Sequence, residues 1–332
     1  MKASIKTISE MTGFSQATIS NVLNNKKGVK KSTAEAVLRA AREIGYLNAN
    51  RIDNIFLVMY KKTGEVLTET PLITALLDGV ESEAKLNGYP TVISNLKEGE
   101  ADFEVKRSDL LNRRNSGVIL LATEMEWEDM RCFEPLRDRL VVVDAWFCEG
   151  QFDTVLMNNT DSFYTLVDYL YRMGHRDIGM IESRVEIRNF RYRRRGFLNA
   201  AEDLHLELKP YSFVRVGPTM ASAYQEMKEY LAGKPQLPTA FCAVNDIVAF
   251  GAMKALKEAG YRIPEDVSIV GFDNMPFCEM TTPQLTTIDI KKREMGEVAV
   301  RRLLAKLECP GDPPVKSQLL TALCERKSVR RL

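Results

Sequence analysis

Thr7-Ile8-Ser9-Glu10-Met11-Thr12-Gly13-Phe14-Ser15-Gln16-Ala17-Thr18-Ile19-Ser20-Asn21-Val22-Leu23-Asn24 reads as two short helices joined by a tight glycine turn, a helix-turn-helix of the shape that fits a DNA major groove. Thr7 with Glu10 three residues on is a start signal in which two side chains satisfy orphan backbone donors reciprocally. Gly13 supplies the left-handed residue that ends the first helix. Ser15 caps the second, which turns Ile19, Val22 and Leu23 toward Ile8 and Met11 and leaves Gln16, Ala17, Ser20 and Asn21 outside. That outer face is short, polar and uncharged, as suits a reader of base edges. A third helix follows, with Ser32 and Glu35 as a second capping pair, Val37, Leu38, Ala41 and Ile44 on one face, and Gly45 as its stop.

Charge agrees with this reading. Residues 1–53 hold nine Lys and Arg against four Asp and Glu, a net +5 that leaves −4 for the remainder of a chain whose formal charge is +1. Lys2, Lys6, Lys26, Lys27, Lys30 and Lys31 are placed for phosphate contact. Thr7, Ser15, Gln16, Ala17, Ser20, Asn21 and Asn24 are the candidates nearest the bases. The plainer alternative is a helical bundle with a solvated lysine surface. The whole chain has 332 residues, 45% hydrophobic and 27% charged, enough for two or three packed domains. Six cysteines lie scattered without a Cys-x-x-Cys pair, so reduced thiols are expected rather than a metal site or a disulfide framework. No apolar leader opens the sequence and no stretch reaches membrane-spanning length, which points to a cytoplasmic protein with no membrane partner.

Beyond Arg51 short apolar runs alternate with longer amphipathic segments. Strands are expected at 55–59, 90–94, 118–122, 140–144, 178–181, 240–244 and 267–271, and helices at 71–87, 161–173, 192–204, 221–232, 246–259 and 293–307. The fold class that follows is an α-helical headpiece plus an α/β core of two Rossmann-like parallel-sheet sub-domains, with a break near Asn158 to Asp161 and a cleft between them. In such sheets a ligand sits beyond the carboxyl ends of the strands. The residues there are Asp144 and Trp146, Phe190 and Arg193, Asn245 and Asp246, and Asp273. A carboxylate accepts from two neighbouring hydroxyls, an arginine donates as a fork and an asparagine does both, so together they describe a polyol site, most simply a sugar site. Singly, Asp246 also reads as a helix cap, Asp273 as a turn residue and Arg191 to Arg195 as a solvated face.

The residues Ile8-Ser9-Glu10, Thr12 to Asn24 and Gly45-Tyr46 resemble the headpiece of the lactose-repressor (LacI) family, and the resemblance runs on to the C-terminus as a purine-repressor-like core of the periplasmic-binding-protein type. Arg193-Arg194-Arg195-Gly196-Phe197 is similar to the family's Arg-x-x-Gly-Phe, which gives Arg193 the effector-binding role. Ala243-Val244-Asn245-Asp246 resembles its Asn-Asp motif, with Asn245 facing the ligand. Val267 to Asn274 followed by Pro283 to Ile288 resembles its strand and turn, placing Asp273 at the sugar hydroxyls. His175, after Gly174, is read as structural. The resemblance implies a homodimer, paired along the helices at 71–86 and 247–258, that binds operator DNA and a small-molecule effector, with no catalytic residue, cofactor or metal. It divides the chain into a DNA-binding domain at 1–47, a short linker at 48–54 and an effector-binding and dimerisation domain at 55–332. Within that domain the first sub-domain takes about 55–158 and 288–312, the second about 162–285 and 315–332.

Several positions depart from the family pattern. Leu47 to Asn54 reaches the first strand about eight residues early, leaving no room for the hinge helix whose leucine wedges into the minor groove, so little DNA bending is expected. Asn21 stands where many relatives have arginine and can read adenine but not fork to guanine. Thr70-Pro71-Leu72-Ile73 replaces a usual Asn-Pro-Phe-Phe, so Ile73 lacks the aromatic ring that would stack on a sugar, and Trp146 or Phe190 is the candidate substitute. Two other classes of function compete. A solute-binding protein of a transport system would share the core but has no use for residues 1–45. An enzyme would need a Walker loop, a nucleotide-binding glycine motif or a nucleophile elbow, and none is present.

Overall fold

Three helices, α1 (Ile5–Thr12), α2 (Gln16–Leu23) and α3 (Lys31–Glu43), form the head in a computed structural model that describes residues 5–23, 29–43, 52–67, 72–309 and 311–332. Ile8, Ile19, Val37, Ala40 and Ala41 are buried at its centre, with Ile5, Phe14, Val22 and Leu23 closing over them. Gly13 adopts φ +72° and its N–H reaches Ser9 O at 2.9 Å, so the chain reverses in backbone that a side chain would strain. Ser15 caps α2, its Oγ accepting from Thr18 N at 3.1 Å. The other two capping pairs do not form. Ile5 joins the head core, so α1 extends back to include it and Thr7 falls inside the helix, buried; α3 starts with Ala34 N on Lys30 O, which puts Ser32 in its first turn. Met11 faces away from Ile8 and is half exposed rather than buried. Lys2, Asn24, Lys26, Lys27, Ile44, Gly45 and the shortened hinge at 47–51 lie outside the described residues, as do Thr70 and Pro71.

The core begins with β1 (Asn54–Lys61), α4 (Leu72–Leu86), β2 (Thr91–Lys97), α5 (Phe103–Asn112), β3 (Ser116–Leu121), α6 (Trp127–Met130), β4 (Leu140–Val143) and β5 (Asp153–Met157). It continues with α7 (Asn159–Arg172), β6 (Ile178–Ser183), α8 (Arg188–Asp203), β7 (Phe213–Val216), α9 (Met220–Ala232), β8 (Ala240–Ala243), α10 (Asp246–Glu258) and β9 (Ser268–Val270). The last elements are β10 (Thr287–Asp289), α11 (Lys292–Glu308), β11 (Lys316–Leu319) and β12 (Ala322–Cys324). Six parallel strands make one sheet in the order β2-β1-β3-β4-β5-β11, and four make a second in the order β7-β6-β8-β9. Strands β10 and β12 pair antiparallel as a separate ribbon. Runs such as Val118–Leu121 and Leu140–Val143 are apolar throughout because helices cover both faces of the sheet.

The chain passes between the two halves three times: from β5 into α7, from β10 into α11 and from β11 into β12. Two of the expected boundaries move as a result. β10 belongs with the second half, where Asp273 N bonds Ile288 O, and β11 pairs with Thr154–Met157 at the edge of the first sheet, not in the second half. The signal for β11 is weak because Lys316-Ser317-Gln318-Leu319 is a partly exposed edge strand with no apolar run. Among the described residues no helix is long and apolar enough to cross a membrane.

Candidate functional site

The carboxyl ends of strands from both sheets meet at a pocket of about 30 Å³. Thr123 follows β3, Asp144 follows β4, Asn245 follows β8 and Asp273 lies beyond β9, while Asn189, Phe190 and Arg193 come from the first turns of α8. Arg193 reaches this point because Gly196, one turn later, lets α8 close on α7: a Cβ there would stand 2.1 Å from Thr160 O. Its guanidinium is buried, with Nε donating to Asn159 Oδ1 at 2.9 Å and Nη1 to Val244 O at 2.8 Å. Nη2 lies 3.6 Å from Asp273 Oδ1, and the Phe272 ring lies 3.7 Å from the guanidinium carbon.

Burial pushes the Asp144 carboxyl up to about 6, against hydrogen bonds from Thr123 Oγ1 at 2.6 Å and Asn189 Nδ2 at 2.8 Å and against the charge of Arg193. Asp273 is also raised by burial, with Arg193 and Lys292 opposing, and burial lowers Arg193 itself. Asp144 and Asp273 sit at φ +65° and +118°, backbone that non-glycine residues seldom adopt and that here turns both carboxyls into the pocket. Asn245 Oδ1 caps α10 by accepting from Val248 N at 2.9 Å, which leaves its amide nitrogen as a donor at the pocket wall. Two carboxylates, one fork and one amide donor therefore converge opposite an apolar wall of Leu67, Leu72 and Ile187. Such a site can hold a small molecule with hydroxyls on one edge and carbon on the other.

Asp144, Phe190, Arg193, Asn245 and Asp273 are brought together; Ile73 and Trp146 are not. Ile73 packs into the core from α4, and its neighbour Leu72 forms the wall instead. Trp146 turns into an adjacent cavity and stacks on Tyr192, ring centroids 6.2 Å apart. Asp246 is buried without facing the pocket; it accepts from Met275 N at 2.8 Å, Cys278 Sγ at 3.1 Å and Thr287 Oγ1 at 2.6 Å, so it anchors the turn that carries Asp273. His175 is structural, bonded to Thr239 Oγ1 and Arg330 O. Sequence reasoning passed over Glu124, whose carboxylate accepts from the backbone of Lys62, Thr63, Gly64 and Val66 at 2.8 to 3.2 Å and so fixes the loop bearing Leu67. It also passed over Asn189, for which the only signal was its place at a helix start after a strand.

The two halves are bonded across the seam. Asn189 Nδ2 reaches Asp144 from the opposite half, and Glu126 from the first half pairs with Arg188 at 3.2 Å and Arg191 at 2.7 Å on α8. In the head, Lys6, Ser15, Gln16, Ala17, Asn21 and Lys30 are exposed and Ser20 is half-buried, so the outer face of α2 is open as expected. Thr7, buried within α1, is not available to a nucleic acid there, and Asn24 lies outside the described residues.

Residues 4–48 match the family model of bacterial regulatory proteins of the lacI family, and residues 167–329 match that of a periplasmic binding protein-like domain. The HTH-type transcriptional repressor PurR of Erwinia tasmaniensis is 31% identical over 98% of this chain and 97% of its own length. That of Yersinia enterocolitica is 29% identical over 98% and 97%. A LacI family transcriptional regulator from Enterococcus faecium, solved with bound ribose, is 26% identical with a TM-score of 0.70 over 84% of this chain and 100% of its own. The lac repressor dimer bound to operator and the anti-inducer ONPF shares the fold, at 21% identity and a TM-score of 0.72 over 98% and 99%.

Proposed function

The chain belongs to the lacI family of bacterial regulatory proteins, and from that premise we propose that it is a sequence-specific transcriptional repressor whose hold on its operator is set by a small-molecule effector of carbohydrate type. The observation that carries the effector half is the run of hydrogen bonds across the seam, from Asp144 in the first half through Asn189 and Asn159 to Arg193 in the second. A ligand inserted there replaces or reinforces bonds between the halves and so changes how far they close. The pocket's 30 Å³ admits little more than one or two waters, so a sugar enters only as the halves part. The PurR names support repression, and the ribose complex of the Enterococcus regulator supports a sugar.

Gln16, Ala17 and Asn21 on α2 would face base edges, with Ser15 and Ser20 flanking and Lys6 and Lys30 on phosphates. A second copy of the chain would supply the other half-site. Phe277, exposed beside Phe250, and the exposed Met280 would offer apolar surface for that pairing. The face of α10 expected to pair is largely buried within the chain beneath α9, so the interface would run over its exposed edge at Lys254 and Glu258. The test is a binding-site selection on random DNA followed by mobility-shift titration of the selected site. A near-palindromic site is expected, with affinity falling steeply as salt rises and shifting at least about fivefold with an effector sugar. Equal affinity for selected and bulk DNA under all conditions overturns the reading.

A further inference from the structure

Beside the central pocket lies a second cavity of about 80 Å³, also built from both halves. Trp146 and Lys316 come from the first half, Arg188, Tyr192 and Thr160 from the second. Asn189 lines both spaces and Asn159, which donates to it, lines this one, so the two cavities are neighbours joined through that amide pair. Its chemistry is different. No carboxylate lines it, whereas the central pocket holds Asp144 and Asp273.

Its two cations are only partly engaged. Arg188 lies 3.2 Å from Glu126, which it shares with Arg191, while its Nε is buried and has no hydrogen-bond partner among the described residues. Lys316 has no carboxylate partner among the described residues; its ammonium rests over the Trp146 ring, 3.9 Å from the centroid, and burial lowers its proton affinity. A buried donor left unmade costs free energy that an incoming acceptor would recover. A planar fork whose one carboxylate, Glu126, is shared with Arg191, and beside it a point charge of the same sign with no ion pair among the described residues, match an oxyanion. The flat Trp146 and Tyr192 rings beside them offer apolar surface to a short carbon skeleton, and Thr160 and Gln318 offer hydroxyl partners.

We propose that this second cavity binds a small phosphate monoester, its phosphate held between Arg188 and Lys316 and its carbon skeleton lying along Trp146 and Tyr192. Because the site is made by both halves, its occupant ties them together independently of the central ligand, and through Asn159 and Asn189 it biases the same closure.

The test is a titration of the full chain with glucose 6-phosphate followed by tryptophan fluorescence, with chloride at matched ionic strength as the blank. Trp146 is one of two tryptophans in the chain, and displacement of Lys316 from its ring face changes its emission. A saturable change is expected that Lys316→Gln weakens by about tenfold or more and that Asp273→Asn, in the central pocket, leaves in place. No saturable change, a change indifferent to Lys316→Gln, or one lost in Asp273→Asn overturns the proposal, the last by putting the ester in the central pocket. Should Lys316→Gln fail to fold, Lys316→Arg retains the charge and must retain the titration; its loss there counts equally against the site.

Discussion

Asp144 and Asp246 are two buried carboxyls that do different work, and their titration separates them. Burial raises Asp144 to about 6 and Asp246 to about 7, above the ordinary value of 3.8. The folded chain therefore holds these protons more tightly than the unfolded one between about pH 4 and 7, and their contribution to stability falls as pH rises through that window and is level above it. Asp246→Asn should flatten part of the fall in urea midpoint between pH 5 and pH 8; a variant as pH-dependent as the native chain shows that Asp246 does not titrate in this range. Asp273→Asn, by contrast, should act on the proposed effector response, read as a smaller shift of operator affinity with an effector sugar. Which of these carboxyls lines the pocket was legible from strand order for Asp144 and Asp273, because both follow sheet strands. The adjacent Asn245-Asp246 pair was harder, since a helix start is compatible with either residue as cap, and the fold decided it by turning Asp246 toward Met275 and Thr287. Glu124 carried no local signal, because its four backbone partners lie 58 to 62 residues away.

Among the elements, the long apolar strands and the helices ending in glycine were readable from period and punctuation, whereas β5, β7 and β11 were not. Each of those is interrupted by polar residues, Asp153 and Thr154 in β5, Arg215 in β7 and Lys316 to Gln318 in β11, and β11 pairs through backbone while its side chains stay largely in solvent. The α1–α2 turn is the opposite case, written in a single residue. Gly13 holds φ +72°, and a Cβ added there would find no neighbouring atom within 4 Å, so Gly13→Ala would meet no clash and would suffer only from backbone strain. The expected cost is about 1 kcal/mol, read as earlier thermal unfolding of the head by amide exchange and as weaker binding to all DNA alike. Unchanged head protection would show that the turn relaxes out of the left-handed region. Capping, read from Thr7-Glu10 and Ser32-Glu35, misled because Ile5, packed against the head core, extended α1 beyond its nominal start and Lys30 O opened α3 two residues early.

For the whole molecule, the seam is where the two halves are bonded to each other, and on the proposed function it would set how far they close. Glu126 is the one carboxylate among the described residues that meets both Arg188 and Arg191; the Arg188 pair is largely buried and the Arg191 pair is open to solvent, where such a pair contributes about 1 kcal/mol or less. Glu126→Gln should therefore shift closure without unfolding either half, seen as a larger radius of gyration in small-angle scattering and an effector affinity changed by a few-fold; an identical scattering curve would mean that Asn189 and Asp144 alone hold the seam. The three crossings of the chain also have a consequence during synthesis. The first sheet receives its sixth strand, and the helix α11 that covers its face, only from residues beyond 291, so the half begun first is completed after the second sheet. On the ribosome its β5 edge stays unpaired until residues 316–319 have emerged, after all four strands of the second sheet, so the first half cannot be finished ahead of the second and carries an exposed strand edge in the meantime.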